Sequence, residues 1–170
     1  MNITLIGMAG VGKTVIGREL ARALHYEFID TDDLIERKLN LKLQEIIDQL
    51  GEGRFLEIEQ EAILELNGID RTIVSPGGSV IYSLEAMRFL KKISTVIFLD
   101  APVGSIEKRI PNQSVRGIVG LKKKRLKDLF YERRPLYQQY ADITVEMAEG
   151  FDREVVLKEI IQKVLENSQI

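Results

Sequence analysis

The octapeptide GMAGVGKT at residues 7–14 constrains the fold of this chain more than any other stretch. It fits the pattern G-x-x-x-x-G-K-[ST]; the apolar run NITLI precedes it and a helical pattern follows it. This strand–loop–helix context is what the pattern requires if successive backbone N–H groups are to surround a phosphate. The stretch therefore predicts a nucleotide-phosphate site. The alternative interpretation is a glycine-rich turn with a solvated lysine.

The residue types in this loop suit phosphate and metal binding. Lys13 is expected to reach the β- and γ-phosphates, and the Thr14 hydroxyl is expected to ligate Mg²⁺. The N-terminus of the following helix adds unpaired N–H groups and the positive end of its dipole. The residues expected to bind the nucleotide phosphates are Gly7, Ala9, Gly10, Val11, Gly12, Lys13 and Thr14.

Short apolar runs alternate with longer amphipathic segments along the whole chain. The run TVIFL at 95–99 is apolar at nearly every position, as expected of a strand that is buried on both faces of a parallel sheet. Segments such as KTVIGRELARAL repeat apolar residues with the helical period. The alternation predicts an α/β fold of three layers, α/β/α, with a parallel sheet. The five predicted strands are Asn2–Ile6, Glu27–Asp30, Thr72–Ser75, Thr95–Asp100 and Ile143–Glu146.

Two segments interrupt this alternation. About 40 residues of helical pattern separate the second and third predicted strands, more than a simple crossover needs. Residues 111–124, PNQSVRGIVGLKKK, carry a proline, two glycines and four basic residues with weak periodicity, which indicates a flexible, cationic lid. We therefore expect a single domain over 1–170, in which a helical substrate-binding region at 31–67 and the lid at 111–124 are attached to a core of residues 1–30, 68–110 and 125–170.

Composition narrows the classes of function. The net charge of −2 gives no global electrostatic reason to expect nucleic acid or an anionic membrane as a partner. The chain has no cysteine, which excludes disulfides and thiolate metal sites. It shows no secretory signal pattern and no apolar stretch of membrane-spanning length. These features predict a cytoplasmic protein, either a monomer or a weak dimer.

The stretch FIDTDDLIE places Asp30 and Asp32 at the end of the second predicted strand. In an open α/β sheet, ligands lie beyond the carboxyl ends of the strands, so both carboxylates should lie near the phosphate loop. Asp30 is expected to hold Mg²⁺ through water. Asp32 is expected to accept a proton from a hydroxyl that attacks the γ-phosphate. The alternative is that Asp30 or Thr31 only caps the following helix.

Taken together, the phosphate loop, the DTD of residues 30–32, a glycine pair after the third strand, an arginine in the lid and the segment ERRPLY of residues 132–137 resemble the shikimate kinase family. The resemblance runs from Asn2 to about Val145. It implies a P-loop NTPase fold like that of nucleoside-monophosphate kinases. The implied activity is phosphate transfer from ATP, with Mg²⁺, to a hydroxyl of a small carboxylic polyol, with shikimate as the leading acceptor.

The same resemblance implies roles for individual residues. Asp30 corresponds to the aspartate that helps to hold Mg²⁺, and Asp32 to the one that binds acceptor hydroxyls. Arg116 in the lid would contact the transferring phosphate, Arg133 would bind the acceptor carboxylate, and Arg109 would pack on the adenine. A guanidinium suits these contacts because it forms forked bonds to carboxylates and phosphates and stacks on flat rings. The implied catalytic residues are Lys13, Asp32 and Arg116, and the implied acceptor-binding residues are Asp32, Gly77, Gly78 and Arg133.

Two departures from the family pattern fall on the acceptor side. In GEGRFLEIE, Leu56 stands where the family has a carboxylate-binding arginine. Arg54 is near, but two helical positions place it about 200° around the axis from Leu56, so it cannot simply substitute on the same face. In SPGGSV, Pro76 replaces the first of three glycines, which removes a backbone donor and stiffens the turn. These departures predict a working kinase whose acceptor is either shikimate or another small hydroxy compound.

Two other classes of protein remain to be weighed. A regulatory GTPase would need the guanine-reading pattern N-K-x-D, which the sequence lacks. A non-catalytic nucleotide-binding protein would be expected to have lost catalytic residues. The nucleotide-side residues Lys13, Thr14, Asp30 and Arg116 are all present, which favours an enzyme.

Overall fold

The computed structural model describes residues 1–110 and 117–167, and in them the predicted alternation of strands and helices is present. In chain order the elements are β1 (Asn2–Ile6), α1 (Lys13–Leu24), β2 (Glu27–Asp30), α2 (Thr31–Leu39), α3 (Leu43–Leu64), β3 (Thr72–Ser75), α4 (Leu84–Ile93), β4 (Ser94–Asp100), α5 (Val103–Arg109), α6 (Leu126–Tyr140), β5 (Ile143–Glu146) and α7 (Arg153–Asn167). A short 3₁₀ helix, Val80–Tyr82, precedes α4.

The described residues form one five-stranded sheet in the order β2-β3-β1-β4-β5, and all neighbouring strands are parallel. The predicted α/β class with a five-stranded parallel sheet is confirmed. In the register, Ile3 of β1 lies opposite Ile73 of β3 on one side and Thr95 of β4 on the other. Helices flank this sheet: α1 contacts β3, β2 and α7, while α4 and α6 contact β4.

Burial explains why the strands lie where they do. Every residue of β1 and β3 is buried, as are the last five residues of β4. Such strands have no polar face to present to water, so helices must cover both sides of the sheet. The polar Asn2 is tolerated because its amide donates to the carbonyls of Ile69 and Ile93 and accepts from the N–H of Thr72.

The predicted helical insertion consists of α2 and α3, which lie between β2 and β3. They enclose a second, smaller apolar cluster, separate from the core around the sheet; it contains Ile35, Ile46, Ile47, Phe55, Ala62 and Val119. Helix α3 is not continuous. It bends at Gly51, where φ is 83° and ψ is 161°, so that residues 43–50 and 52–64 follow different axes.

The predicted lid begins at residue 111, and its first six residues, 111–116, lie outside the described ones. Residues 117–124 form a loop with turns that lies against α3. The N–H of Gly120 donates to Glu52 Oε1 at 2.6 Å, and Lys122 forms an ion pair with Asp48 at 2.6 Å. Across residues 1–110 and 117–167, none of the helices is both long and apolar enough to cross a membrane.

The strand order determines where functional residues meet. Strands β2, β3 and β1 are neighbours and run in the same direction, so their carboxyl ends lie side by side. The phosphate loop follows β1, Asp30 ends β2 with Asp32 just beyond it, and the turn of residues 76–79 follows β3. The fold therefore brings three sequence-distant segments to one edge of the sheet.

Candidate active site

The phosphate loop has the backbone that its glycines predict. Gly12 adopts φ 114° and ψ 11°, a left-handed conformation that a residue with a Cβ rarely adopts, and it is the N-cap of α1. The loop closes with a bond from the Val11 N–H to the Met8 carbonyl at 3.2 Å. The free N–H groups of the first turn of α1 are thus directed at the position expected for the phosphates.

Lys13 is buried beneath this loop, with 9% of its surface exposed. Its Nζ donates to the carbonyls of Gly7 at 2.8 Å and of Met8 at 3.1 Å. Burial lowers the pKa of Lys13 to about 8, against the opposing effect of Asp32 and Asp30. A lysine held in this way is poorly solvated by water. Its charge would therefore be stabilised by an anionic phosphate.

Thr14 and Asp30 meet as the sequence predicts. The Thr14 hydroxyl donates to Asp30 Oδ2 at 2.8 Å, and Asp30 Oδ1 accepts from the N–H of Asp32 at 3.1 Å. Asp30 therefore caps α2 and also bonds to Thr14 of the phosphate loop, while its role in holding Mg²⁺ stays a prediction. A hydroxyl beside a carboxylate offers the hard oxygen ligands that Mg²⁺ prefers, with the remaining ligands coming from nucleotide phosphates and water. These two residues fit a nucleotide-borne Mg²⁺.

The nucleotide cavity has a volume of about 470 Å³. Its walls come from the phosphate loop, from Asp30 and Asp32 and from the turn after β3, and Arg109 lies at its rim. The Arg109 guanidinium donates to the Val11 carbonyl at 3.0 Å and lies over the ring of Phe151, 4.8 Å from its centroid. Arg109 thus lies beside a flat ring at the mouth of the cavity, a suitable position for stacking on a base.

Asp32 lies in the first turn of α2, and its Oδ1 is enclosed without a hydrogen-bond partner in the part of the chain that the structure describes. Burial is the main cause that raises the pKa of Asp32, to about 7, and the neighbouring Asp30 adds to it while Lys13 opposes it. A carboxyl group with this pKa is well matched to general-base chemistry near neutral pH.

A second buried carboxyl group, Glu59 of α3, lies on the far side of the turn after β3. Its Oε2 accepts from the Ser79 hydroxyl at 2.5 Å, while its Oε1 is enclosed and has no partner. Burial, followed by the charge of Asp32, raises the pKa of Glu59 to about 8. A Cβ on Gly77 would overlap Glu59 Oε1 and lie 2.9 Å from Asp32 Oδ1, so only glycine fits between the two carboxyl groups.

Arg133 is the most deeply buried cation in the described residues, with 1% of its surface exposed. Its Nη2 donates to the Val119 carbonyl at 2.7 Å and its Nε to the Tyr82 hydroxyl at 3.2 Å. Arg133, Glu59 and Asp32 line a small cavity of about 40 Å³ beside Gly77 and Gly78. The structure thus brings together the predicted acceptor-binding residues, and Arg133 among them is buried.

Comparison with known proteins bears on this arrangement. The profile of the family described as "Shikimate kinase" matches residues 9–166. A shikimate kinase of Thermodesulfovibrio yellowstonii is 34% identical over 164 residues, which cover 95% of this chain and 94% of that protein. This chain belongs to the shikimate kinase family. A second relative, the shikimate kinase of Francisella tularensis subsp. novicida, is 38% identical over 85% of this chain and 84% of its own length.

Solved structures of the family agree with this assignment. The shikimate kinase of Acinetobacter baumannii in complex with shikimate superposes with a TM-score of 0.88 at 33% identity, covering 98% of this chain and 93% of that one. The shikimate kinase of Aquifex aeolicus gives 0.85 at 31% identity, with 99% and 98% covered. The chain has the P-loop NTPase fold and is a phosphotransferase with an alcohol group as acceptor. ATP and Mg²⁺ are the cofactors of this family.

The departures from the family pattern have a clear structural form. Leu56 is half-buried and packs on the second apolar cluster, and it is not part of the wall of the small cavity. Arg54 is exposed and forms ion pairs with Glu57 at 2.7 Å and Glu61 at 3.0 Å. Arg54 does not reach the cavity, so Arg133 is the one cation among the described residues of its wall. Pro76 is buried and lines the nucleotide cavity.

Several site residues were not found from the sequence. Glu59 accepts a hydrogen bond from Ser79, 20 positions away in sequence, and Arg133 donates one to Tyr82, 51 positions away. No local sequence pattern predicts either pair. Phe151, whose ring contacts Arg109, lies in the loop after β5 and belongs to no recognised sequence motif. The one available signal for Glu59 was its position four residues after Phe55, which places its carboxylate on the same, buried face of the helix. Arg116 lies outside the described residues, so its predicted contact with phosphate stays a prediction.

Proposed function

We propose that this chain transfers the γ-phosphoryl group of ATP to a hydroxyl of shikimate. One observation carries the proposal. Ala9, Asp32 and Gly78 belong to the walls of both the nucleotide cavity and the small cavity. A hydroxyl bound at Asp32 would therefore face the end of the nucleotide, which is the alignment that an in-line transfer requires.

The small cavity offers what a carboxylic polyol needs. The enclosed oxygens of Asp32 and Glu59 lack donors, and hydroxyl groups would supply them. The Arg133 guanidinium would bind the carboxylate, which would replace the Val119 carbonyl on Nη2. Because the cavity measures only about 40 Å³, the loop at Gly117–Val119 has to yield when the acceptor enters.

On the nucleotide side, the N–H groups of the phosphate loop and Lys13 would bind the phosphates, and Arg109 with Phe151 would flank the base. Thr14 and Asp30 would hold Mg²⁺, which supplies charge neutralisation on the phosphate oxygens. In the reaction, the acceptor oxygen forms a bond to the γ-phosphorus as the bond to the β–γ bridging oxygen breaks and ADP leaves. Asp32 takes the hydroxyl proton, and Lys13 and Arg116 offset the charge on the transferring group.

These roles assign different functions to different segments of the chain. Residues 31–67 would form the acceptor-binding region, and 111–124 would form a lid that excludes water, the competing acceptor. The modest net charge and the lack of cysteine support a cytoplasmic enzyme without nucleic-acid or membrane partners, acting as a monomer or a weak dimer.

A second candidate is transfer to a different small hydroxy compound. The observation that favours it is that Arg133 is the single cation among the described wall residues of the small cavity, since Leu56 packs on an apolar cluster and Arg54 is exposed. A cavity with one guanidinium and two carboxyl groups also suits an acceptor that is richer in hydroxyl groups than in negative charge.

A coupled ADP-release assay across shikimate, related hydroxy acids and polyols tests both candidates. Release that depends on shikimate and saturates with it supports the first. Release that depends on another compound, with shikimate inert, supports the second. Slow release that is indifferent to every acceptor would indicate an ATPase, and tight ATP binding without release would indicate a non-catalytic protein.

A further inference from the structure

Several neighbours hold the guanidinium of Arg133 before any acceptor arrives, and the hydroxyl of Tyr137 is one of them. Nε donates to the Tyr82 hydroxyl at 3.2 Å, and the cationic carbon lies 5.2 Å from the centre of the Tyr82 ring. Nη2 donates to the Val119 carbonyl, and Nη1 lies against Gly78 at the cavity wall. Of these neighbours, Tyr82 is the one that contacts the guanidinium through both its ring and its hydroxyl.

Tyr82 is itself held in place. It ends the 3₁₀ helix that follows the glycine turn, and its hydroxyl donates to Glu132 Oε1 at 2.5 Å. Glu132 in turn pairs with Lys124 at the end of the lid loop. Burial, reinforced by the bond to Glu132, raises the pKa of Tyr82, so the hydroxyl keeps the proton that it donates. Because the Tyr82 hydroxyl donates its proton to Glu132, a lone pair of its oxygen is available to accept the bond from Arg133 Nε.

This arrangement matters because the small cavity has no other cation among its described wall residues. A flexible arginine loses side-chain freedom when it binds a carboxylate, and that cost falls if its rotamer is fixed beforehand. A carboxylate held by one guanidinium depends on that guanidinium being presented correctly, and no second cation in residues 1–110 or 117–167 lines the cavity to compensate.

We propose that Tyr82 is a positioning residue that presents the Arg133 guanidinium to the acceptor carboxylate and so sets the preference of this enzyme for carboxylate-bearing acceptors. The inference rests on the proposed function, because it assumes that an acceptor carboxylate binds at Arg133. Tyr82 is not among the residues that line the nucleotide cavity, so we expect its effect to be confined to acceptor binding.

The test compares Tyr82→Phe with the unchanged enzyme on two acceptors: shikimate, and its alcohol analogue in which a hydroxymethyl group replaces the carboxylate. The substitution keeps the ring and removes only the hydroxyl. We expect the KM for shikimate to rise about three- to tenfold, as for the loss of a typical intramolecular hydrogen bond. The kcat and the KM for ATP should stay as they are. For the alcohol analogue, kcat/KM should be the same in both proteins.

Two further variants complete the experiment. Tyr131→Phe is the matched control, because Tyr131 lies on the exposed side of α6 and packs edge-on against Phe130. It should change no parameter. Glu132→Gln keeps Tyr82 but weakens the acceptor of its proton, and it should raise the KM for shikimate to a smaller degree; it serves also if Tyr82→Phe does not fold.

The outcomes separate the two proposals. Unaltered shikimate kinetics in Tyr82→Phe, or in Glu132→Gln if the first variant does not fold, would overturn the positioning role while leaving the proposed function intact. An equal loss on both acceptors would also overturn it, because a general structural defect does not depend on the carboxylate. Absence of shikimate-dependent turnover in the unchanged enzyme would defeat the proposed function, and this inference with it.

Discussion

At the scale of single residues, Asp32 links the two halves of the site. It lines both cavities, its Oδ1 has no partner, and its pKa is raised to about 7 by burial. We predict that Asp32→Asn lowers kcat at least about a hundredfold, within the usual contribution of a general base. The affinity for ATP should change only a few-fold, because Lys13 and the loop amides remain. Kinetics and equilibrium ATP binding measure the two effects separately.

The control for this variant is Asp33→Asn. Asp33 lies next to Asp32 in α2, but it forms solvent-exposed ion pairs with Arg18 at 3.5 Å and with Arg37 at 3.7 Å. It should retain near-normal kcat. A strong loss of ATP binding in Asp32→Asn would show that Asp32 serves the nucleotide rather than the acceptor.

The same carboxyl group predicts a pH-dependent effect on stability. The pKa of Asp32 is about 7 in the folded protein and near 3.8 when unfolded, so between these values the folded state holds a proton that the unfolded state has lost. Asp32 therefore destabilises the fold increasingly as pH rises from about 4 to 7. Asp32→Asn should raise the free energy of unfolding by on the order of 1–3 kcal/mol at pH 8 and hardly at all at pH 4. Denaturant titrations across this range would refute the idea if the difference were independent of pH.

Arg54 allows a test of the departure at Leu56. Because its guanidinium is exposed and paired with Glu57 and Glu61, Arg54→Ala should leave the KM for the acceptor unchanged. Stability should fall by no more than about 1 kcal/mol, as is usual for surface ion pairs. Steady-state kinetics check this prediction. A large rise in KM would mean that Arg54 reaches the acceptor after all.

At the scale of elements, the bend in α3 depends on one glycine. Gly51 has φ 83° and ψ 161°, a region open almost only to glycine, although no atom lies within 4 Å of a Cβ placed there. Backbone strain alone should therefore make Gly51→Ala less stable by about 1–3 kcal/mol. The free energy of unfolding from a urea titration measures the loss.

Gly53 provides the matched control, two residues further along α3. It also has open space around a Cβ, but its backbone is helical. Gly53→Ala should be neutral or stabilising by up to about 1 kcal/mol, because alanine is the better helix former. Equal effects of the two substitutions would show that the bend is not maintained by the left-handed glycine.

The features that could be predicted from the sequence at this scale are mostly short local motifs. The phosphate loop and the aspartates of DTD are short motifs attached to strand ends, so their positions follow once the strands are recognised. The helical geometry also placed Arg54 correctly away from Leu56. The pairs Glu59–Ser79 and Tyr82–Arg133 join residues that are far apart in sequence, and only tertiary packing brings them together. The bend at Gly51 was likewise not predicted, because glycine is compatible with both signs of φ.

At the scale of the whole molecule, the sheet order explains why the reaction occurs where it does. With β2, β3 and β1 adjacent and parallel, the phosphate loop, the carboxylates of Asp30 and Asp32, and the glycine turn meet at one edge. Helix α3 adds Glu59 and α6 adds Arg133 to the wall of the small cavity. The nucleotide cavity and the small cavity thus share a wall that includes Asp32.

The measurement that tests this account most directly is ADP release with shikimate as the only acceptor, followed by ³¹P spectroscopy of the product. We expect release that saturates with shikimate and yields one phosphate ester for each ADP formed. We also expect Arg133→Met, which removes the cation among the described wall residues of the small cavity, to raise the KM for shikimate without weakening ATP binding. ADP release that is unaffected by shikimate, or that ends in inorganic phosphate, would contradict it.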